Sequence, residues 1–198
     1  MNKTRLEAFS DAVIAIIMTI MVLELKIPHG DDLSVLIPQW PVFLTYTLSF
    51  VYLGIYWNNH HHMLHATRHI SGGVLWANLN LLFWLSLIPF STGWMGENHF
   101  APLPTAVYGV VLILCAFAYT ILQATILRHH RNENTLLAEA VGNDLKGKIS
   151  LVLYALAIPL AFVNTWASQA LYFLVAMIWF IPDRRIEKRI EHEPGTQP

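Results

Sequence analysis

The chain has 198 residues, of which 55% are hydrophobic and only 13% are charged. A soluble domain usually contains about 25% charged residues, so this composition excludes an ordinary soluble domain. The formal net charge of −1 carries no basic signature for nucleic-acid binding. The composition therefore indicates a protein that lies in a membrane.

Uncharged apolar runs cover most of the chain, and each reaches the ~18 residues that indicate a membrane-spanning helix. The last run, 149–182, is long enough for two spans and contains polar residues near its centre. With a first helix at the N-terminus, we predict six helices in one all-α membrane domain, 1–198. They are expected at about 4–25, 39–65, 73–96, 104–128, 148–163 and 168–190, with a kink at Pro89 and a short surface helix at 135–141.

The basic residues test this count of helices. Six spans place both termini on one side of the membrane, together with every Lys and Arg except Lys26. Because basic residues concentrate in cytoplasmic loops, we expect both termini to be cytosolic. The opposite side then holds Lys26 with Asp31, Asp32 and Glu97.

Asp11 is a carboxylate inside the first predicted span, where an ionisable group is costly and marks a functional hypothesis. Other polar residues of the first three helices fall at a similar depth: Ser10, Asn58, His60, His61, Asn78 and Asn80. We predict a hydrogen-bonded cluster in which Asp11 accepts from asparagine or histidine side chains. An alternative is that histidines at this depth lie at the lipid headgroups.

The first helix also has an aliphatic face. At ~100° per residue, Ile16, Thr19, Ile20 and Leu23 fall on one side, Phe9 and Ala12 continue that side, and Asp11 points away from it. Such a face either packs against another helix or forms a functional surface, and helical periodicity does not distinguish these two possibilities.

The pattern Arg5-x-x-x-Phe9-Ser10-Asp11, in a helix that ends Val22-Leu23-Glu24-Leu25, resembles the signature of the transmembrane protein 175 family of potassium channels. The segment 56–61, Tyr-Trp-Asn-Asn-His-His, is similar to the second helix of that family. The length and the six-helix layout resemble its short prokaryotic form, which has a single repeat.

This resemblance implies a homotetramer in the cell membrane that conducts K⁺ and other monovalent cations without a cofactor. Four copies of the first helix would line the pore, with apolar constrictions at Ile16, at Thr19 or Ile20, and at Leu23. It further implies that Arg5, Phe9, Ser10 and Asp11 are structural residues that brace this helix through helices two and three. The chain has no T-V-G-Y-G filter sequence, so only modest K⁺ selectivity is expected.

Two other functions compete with a channel. An ion-coupled secondary transporter also fits six spans. A membrane metalloenzyme is suggested by ten histidines, including His61, His65 and His69 at helical spacing. The chain lacks an H-E-x-x-H motif and a third histidine box, so we expect no enzyme and no resident metal. Binding of an inhibitory metal ion at these histidines stays open.

Overall fold

The computed structural model describes residues 2–65, 67, 70–129 and 145–180, and these residues form seven α-helices and no strand. The helices are α1 (Lys3–Ile20), α2 (Trp40–His65), α3 (Gly72–Leu85), α4 (Ile88–Glu97), α5 (Pro102–His129), α6 (Leu145–Leu160) and α7 (Thr165–Phe180). Because α3 and α4 together occupy the third predicted helix, the seven helices correspond to six spans. The predicted helix at 135–141 and the last helix beyond 180 lie outside the described residues.

The first helix has distinct ends. The side chain of Asn2 caps α1 by accepting from the N–H of Thr4 at 3.3 Å, which satisfies one of the free N–H groups of the first turn. After Ile20 the chain tightens into a 3₁₀ turn, Met21–Glu24, and becomes extended at Leu25. The predicted first helix therefore consists of an α-helix and a terminal 3₁₀ turn.

The third predicted helix is interrupted rather than merely kinked. It stops at Leu85 and starts again at Ile88, and Pro89 stands in the first turn of α4. Proline lacks a backbone N–H and its ring displaces the preceding turn, so the interruption falls just before it. The hydroxyl of Ser86 donates to the carbonyl oxygen of Phe83 at 2.7 Å, satisfying one carbonyl group at the break.

Four stretches of the described chain are long and apolar enough to cross a bilayer: Lys3–Glu24, Leu33–His65, Gly72–Glu97 and Pro102–Arg128. The remaining helices, α6 and α7, have 16 residues each and border segments outside the description. They are joined by a turn at 161–164, where the side chain of Asn164 accepts from the N–H of Ala167 at 3.1 Å. The chain is a multi-pass helical membrane protein.

Two clusters of buried side chains hold the helices together. One joins α1 to α3 and α5 through aliphatic residues such as Ile14, Leu81 and Leu122. The other is centred on four tyrosines of α2, α5, α6 and α7, namely Tyr52, Tyr108, Tyr154 and Tyr172. Membrane helices associate through close packing and hydrogen bonds, since lipid offers no hydrophobic gain. Only one side of α1 takes part in this packing.

Candidate functional site

The two sides of α1 differ sharply in burial. One side packs against the rest of the subunit and is buried at Leu6, Ser10, Ile14, Ile17 and Met21. The other, which we call the open face, consists of Phe9, Ala12, Ile16, Thr19, Ile20 and Leu23, all of them exposed. Ile16 is 55% exposed and Leu23 is 77% exposed. Nothing within the described part of the subunit covers this aliphatic face.

A chain of buried hydrogen bonds fixes the packed side of α1. Nε2 of His60 donates to Oδ1 of Asn78 at 2.7 Å, and Nδ2 of Asn78 donates to Oγ of Ser10 at 2.9 Å. All three residues are fully buried. Because unsatisfied polar groups are costly in a membrane, these bonds fix the rotation of α1 relative to α2 and α3.

Asp11 lies beside this chain and has a different partner. Nε1 of Trp57 donates to Oδ1 of Asp11 at 3.0 Å. The prediction that an asparagine or histidine donates to Asp11 is therefore wrong. The reason is geometric, since successive helical residues point about 100° apart: Ser10 faces α3, whereas Asp11 faces α2. Sequence reasoning did not include Trp57 among the predicted partners of Asp11.

The remaining predicted members of the cluster lie apart from it. Asn58 and Asn80 are half-buried and make no side-chain hydrogen bond within the described chain. His61 is exposed, and its ring lies 6.1 Å from the ring of Trp57 and 6.1 Å from that of His65. A shared depth therefore did not bring all the polar residues together.

Arg5 and Phe9 also differ from the expectation for bracing residues. Both are exposed, and Phe9 is 46% exposed. They lie on the same side of α1 as Ile16 and Leu23, since positions 5, 9, 16 and 23 fall within one sector of a helix. Within the described residues, neither side chain is buried against α2 or α3, so their bracing role stays a prediction.

Thr19 is the hydroxyl on the open face. Its Oγ1 donates to the carbonyl oxygen of Ile16 at 2.9 Å. Donation of the hydroxyl proton to the helix leaves the oxygen lone pairs for other contacts. The residue can therefore offer an oxygen ligand while its hydrogen stays bonded.

A second feature at the far end of α1 was not predicted. The carboxylate of Glu24 lies against Gly93 of α4, where the carboxyl carbon would be 3.0 Å from an added Cβ. Close by, Nζ of Lys26 lies 2.7 Å from Oε1 of Glu97. The signals available in the sequence were a glutamate at the end of a span and a glycine in a facing helix.

Metal binding has little support from the arrangement of side chains. The described residues contain no group of three or more His, Cys, Asp or Glu side chains that could hold a metal ion. His69 and His130 lie outside the described residues.

Comparison with known proteins identifies the family. The family model described as "Endosomal/lysosomal potassium channel TMEM175" matches residues 5–89, which contain the open face and the hydrogen bonds around Asn78. A protein named as a potassium channel in Chryseobacterium sp. (strain P1-3) is 52% identical over 191 residues, covering 96% of this chain and 99% of the relative. The chain belongs to the TMEM175 family.

More distant members agree with this assignment. A relative named as a potassium channel in Streptomyces collinus is 28% identical, with 90% of this chain and 92% of the relative covered. The fold matches the crystal structure of a lysosomal potassium-selective channel TMEM175 homolog from Chamaesiphon minutus. That match has a TM-score of 0.79 and 26% identity, and it covers 91% of this chain and 97% of the other.

Proposed function

We propose that this chain is the subunit of a potassium-permeable channel in the cell membrane. The observation that supports this function best is the open face of α1, an aliphatic surface with one hydroxyl that the described residues of its own subunit leave uncovered. Membership of the TMEM175 family and the names of the relatives support the same function.

The pore forms in a homotetramer, where four open faces meet on one axis. Ile16, Thr19 or Ile20, and Leu23 then contribute successive rings, each about one turn of helix further along. Ser10 and Asp11, bonded to α3 and α2, hold each wall in position. The site belongs to the assembly, because one subunit provides only a quarter of each ring.

The chemistry of the rings limits their selectivity. Aliphatic side chains are poor ligands for a cation, but a narrow apolar constriction controls conduction by excluding water. It favours the cation that loses water more easily, which is K⁺ rather than Na⁺. The lone pairs of Thr19 add an oxygen ligand at the second ring. Potassium and other monovalent cations pass without a cofactor.

The proposed function is tested by ion flux in liposomes that contain only the purified protein. Potassium efflux that sets a Nernst potential, with smaller permeability to Na⁺, is the expected result. The same flux is measured in sealed liposomes that contain Leu23→Asp protein. A ring of carboxylates in the proposed pore should change the K⁺ conductance relative to that of the wild-type protein. No potassium flux from a correctly assembled tetramer would contradict the channel.

A secondary transporter is the alternative that one observation favours, because broken helices such as α3 and α4 occur at transporter binding sites. A transporter saturates with substrate and depends on a coupling ion. Potassium current that persists without a proton or sodium gradient, at rates proportional to voltage, distinguishes the channel. A metalloenzyme is disfavoured by the family to which the chain belongs.

A further inference from the structure

A lateral pocket lies between the end of α1 and α4, beside the open face, with which it shares Ile20. Its volume is about 530 Å³, within the range typical of small-molecule sites. The residues that define its chemistry are Ile17, Ile20, Glu24, Phe90, Trp94 and Glu97. We call it the α1–α4 pocket.

The pocket holds one uncompensated carboxylate. Glu24 is half-buried and makes no hydrogen bond or ion pair within the described residues. Glu97 differs, because its carboxylate is paired with Lys26 at 2.7 Å. Within the pocket lining, the negative charge without a counter-ion is therefore that of Glu24.

The glycine at position 93 makes room for this carboxylate. A Cβ at Gly93 would collide with Oε2 of Glu24 and lie 3.0 Å from its carboxyl carbon. Real Cβ atoms do not approach other heavy atoms so closely without displacing them. The absence of a side chain at 93 thus lets Glu24 lie directly against α4, facing the pocket.

Aromatic rings form another part of the wall. The rings of Phe90 and Trp94 are stacked, with centroids 6.1 Å apart and planes inclined by 29°. Phe90 is 63% exposed and Trp94 is half-buried. Aromatic faces attract cations, and tryptophan does so best.

These features distinguish between classes of ligand. An inorganic cation such as Ca²⁺ requires about 6–8 oxygen ligands, whereas the lining is mainly apolar and Glu97 is already paired. A neutral acyl chain would fill the apolar part but would remove Glu24 from water without compensation. A small organic cation with an apolar body satisfies both the carboxylate and the rings.

We propose that the α1–α4 pocket binds such a cation, of the aryl quaternary ammonium class. The pocket shares only Ile20 with the open face. The groups that recognise the cation are Glu24 and the rings of Phe90 and Trp94, which are not part of the proposed pore rings. The proposal predicts binding that does not require ion conduction.

The test is isothermal titration of the purified full-length protein with phenyltrimethylammonium. Glu24→Gln removes the charge with little change in shape, and we expect it to weaken binding about tenfold. Asp32→Asn removes the same charge from an exposed loop residue outside the pocket lining, and we expect a change of less than about twofold. The neutral isostere tert-butylbenzene should bind more weakly than the cation.

Gly93→Ala provides a second variant that keeps the carboxylate but displaces it, and it should also weaken binding. Size-exclusion chromatography establishes that each variant retains its assembly, and Trp94→Leu replaces Gly93→Ala if the latter fails to fold. The proposal is overturned if phenyltrimethylammonium does not bind to the wild-type protein. This result is expected if a side chain of a second copy fills the pocket. Equal affinities for wild-type and Glu24→Gln protein, or for the cation and its neutral isostere, also overturn it.

Discussion

The indole N–H of Trp57 in α2 donates to the carboxylate of Asp11 in α1 at 3.0 Å. The bond joins a negatively charged acceptor to a neutral donor, and Trp57 is 43% exposed. A charge-assisted bond is stronger than a neutral one. It holds α1 on the side next to Ser10, so two neighbouring residues attach the same helix to two different partners.

Removing the indole N–H should loosen α1. We expect Trp57→Phe to lower the free energy of unfolding by about 1–3 kcal/mol, because Asp11 loses its donor. Trp76→Phe is the matched control, since Trp76 is 75% exposed and has no side-chain hydrogen bond within the described residues. Unfolding in mixed SDS micelles gives both values, and equal losses would show that the Trp57 bond contributes nothing specific.

Asn78 connects two buried partners, so its loss affects both. Asn78→Leu leaves the N–H of His60 and the hydroxyl of Ser10 without their bonds, and we expect a loss of about 1–3 kcal/mol. Asn80→Leu, on the same helix but outside the hydrogen-bond chain, should change stability much less. In a Ser10→Ala background, Asn78→Leu should lower the free energy of unfolding by less than it does in the wild-type protein. Strictly additive losses in the double mutant would show that Asn78 and Ser10 are not energetically coupled.

A polar ring at Ile16 should open the proposed constriction to water. We expect Ile16→Asn to raise single-channel conductance at least about tenfold, which corresponds to a barrier lowered by about 1.4 kcal/mol, and to weaken K⁺ over Na⁺ selectivity. Leu156→Asn is the control, because Leu156 is also 55% exposed but lies on α6. Reversal potentials that stay at the wild-type value in Ile16→Asn channels would remove Ile16 from the pathway.

Variants of Thr19 test whether its hydroxyl oxygen contributes to K⁺ selectivity by binding the ion. Thr19→Val keeps the shape but removes the oxygen, and we expect the K⁺/Na⁺ permeability ratio to fall about fivefold, equivalent to about 1 kcal/mol. Thr19→Ser keeps the oxygen and should retain most of the ratio. Bi-ionic reversal potentials measure both variants, and indistinguishable ratios for valine and serine would assign selectivity to dehydration alone.

The contact between α2 and α4 depends on Gly96. A Cβ at this position would lie 2.5 Å from Oγ1 of Thr45 and 2.9 Å from the Cα of Val42. Since backbone must move to relieve such contact, Gly96→Ala should destabilise the protein by about 1–3 kcal/mol. Gly54→Ala in α2 has no heavy atom within 4 Å of the added carbon, so it should be neutral or slightly stabilising. Similar stability changes in the two variants would contradict a close helix approach at 96.

The sequence predicted an all-helical membrane protein because long uncharged runs have few other structures available. It also predicted the direction of the open face, since Ile16, Ile20 and Leu23 recur at helical spacing. Helical spacing within one segment does not define how neighbouring helices are rotated. For that reason we grouped Asn58 and Asn80 with Asn78 on their predicted depth in the membrane alone. Of the three, Asn78 is the residue that donates to Ser10.

Contacts between residues far apart in the chain could not be predicted from the sequence either. The contact of Glu24 with Gly93 requires the end of α1 to meet α4. A glutamate at the end of a span and a glycine in another helix do not by themselves identify each other as partners. The interruption before Pro89 is an intermediate case, because proline predicts a disturbance but not the complete stop at Leu85.

The one-sided attachment of α1 has a consequence for biogenesis. Buried aliphatic residues and the bonds of Ser10 and Asp11 secure this helix entirely from within its own chain. A newly inserted subunit can thus complete its tertiary structure before it encounters another copy. In the proposed tetramer, assembly would then join subunits that are already folded, and we expect a defect confined to the open face to yield folded protomers that fail to assemble.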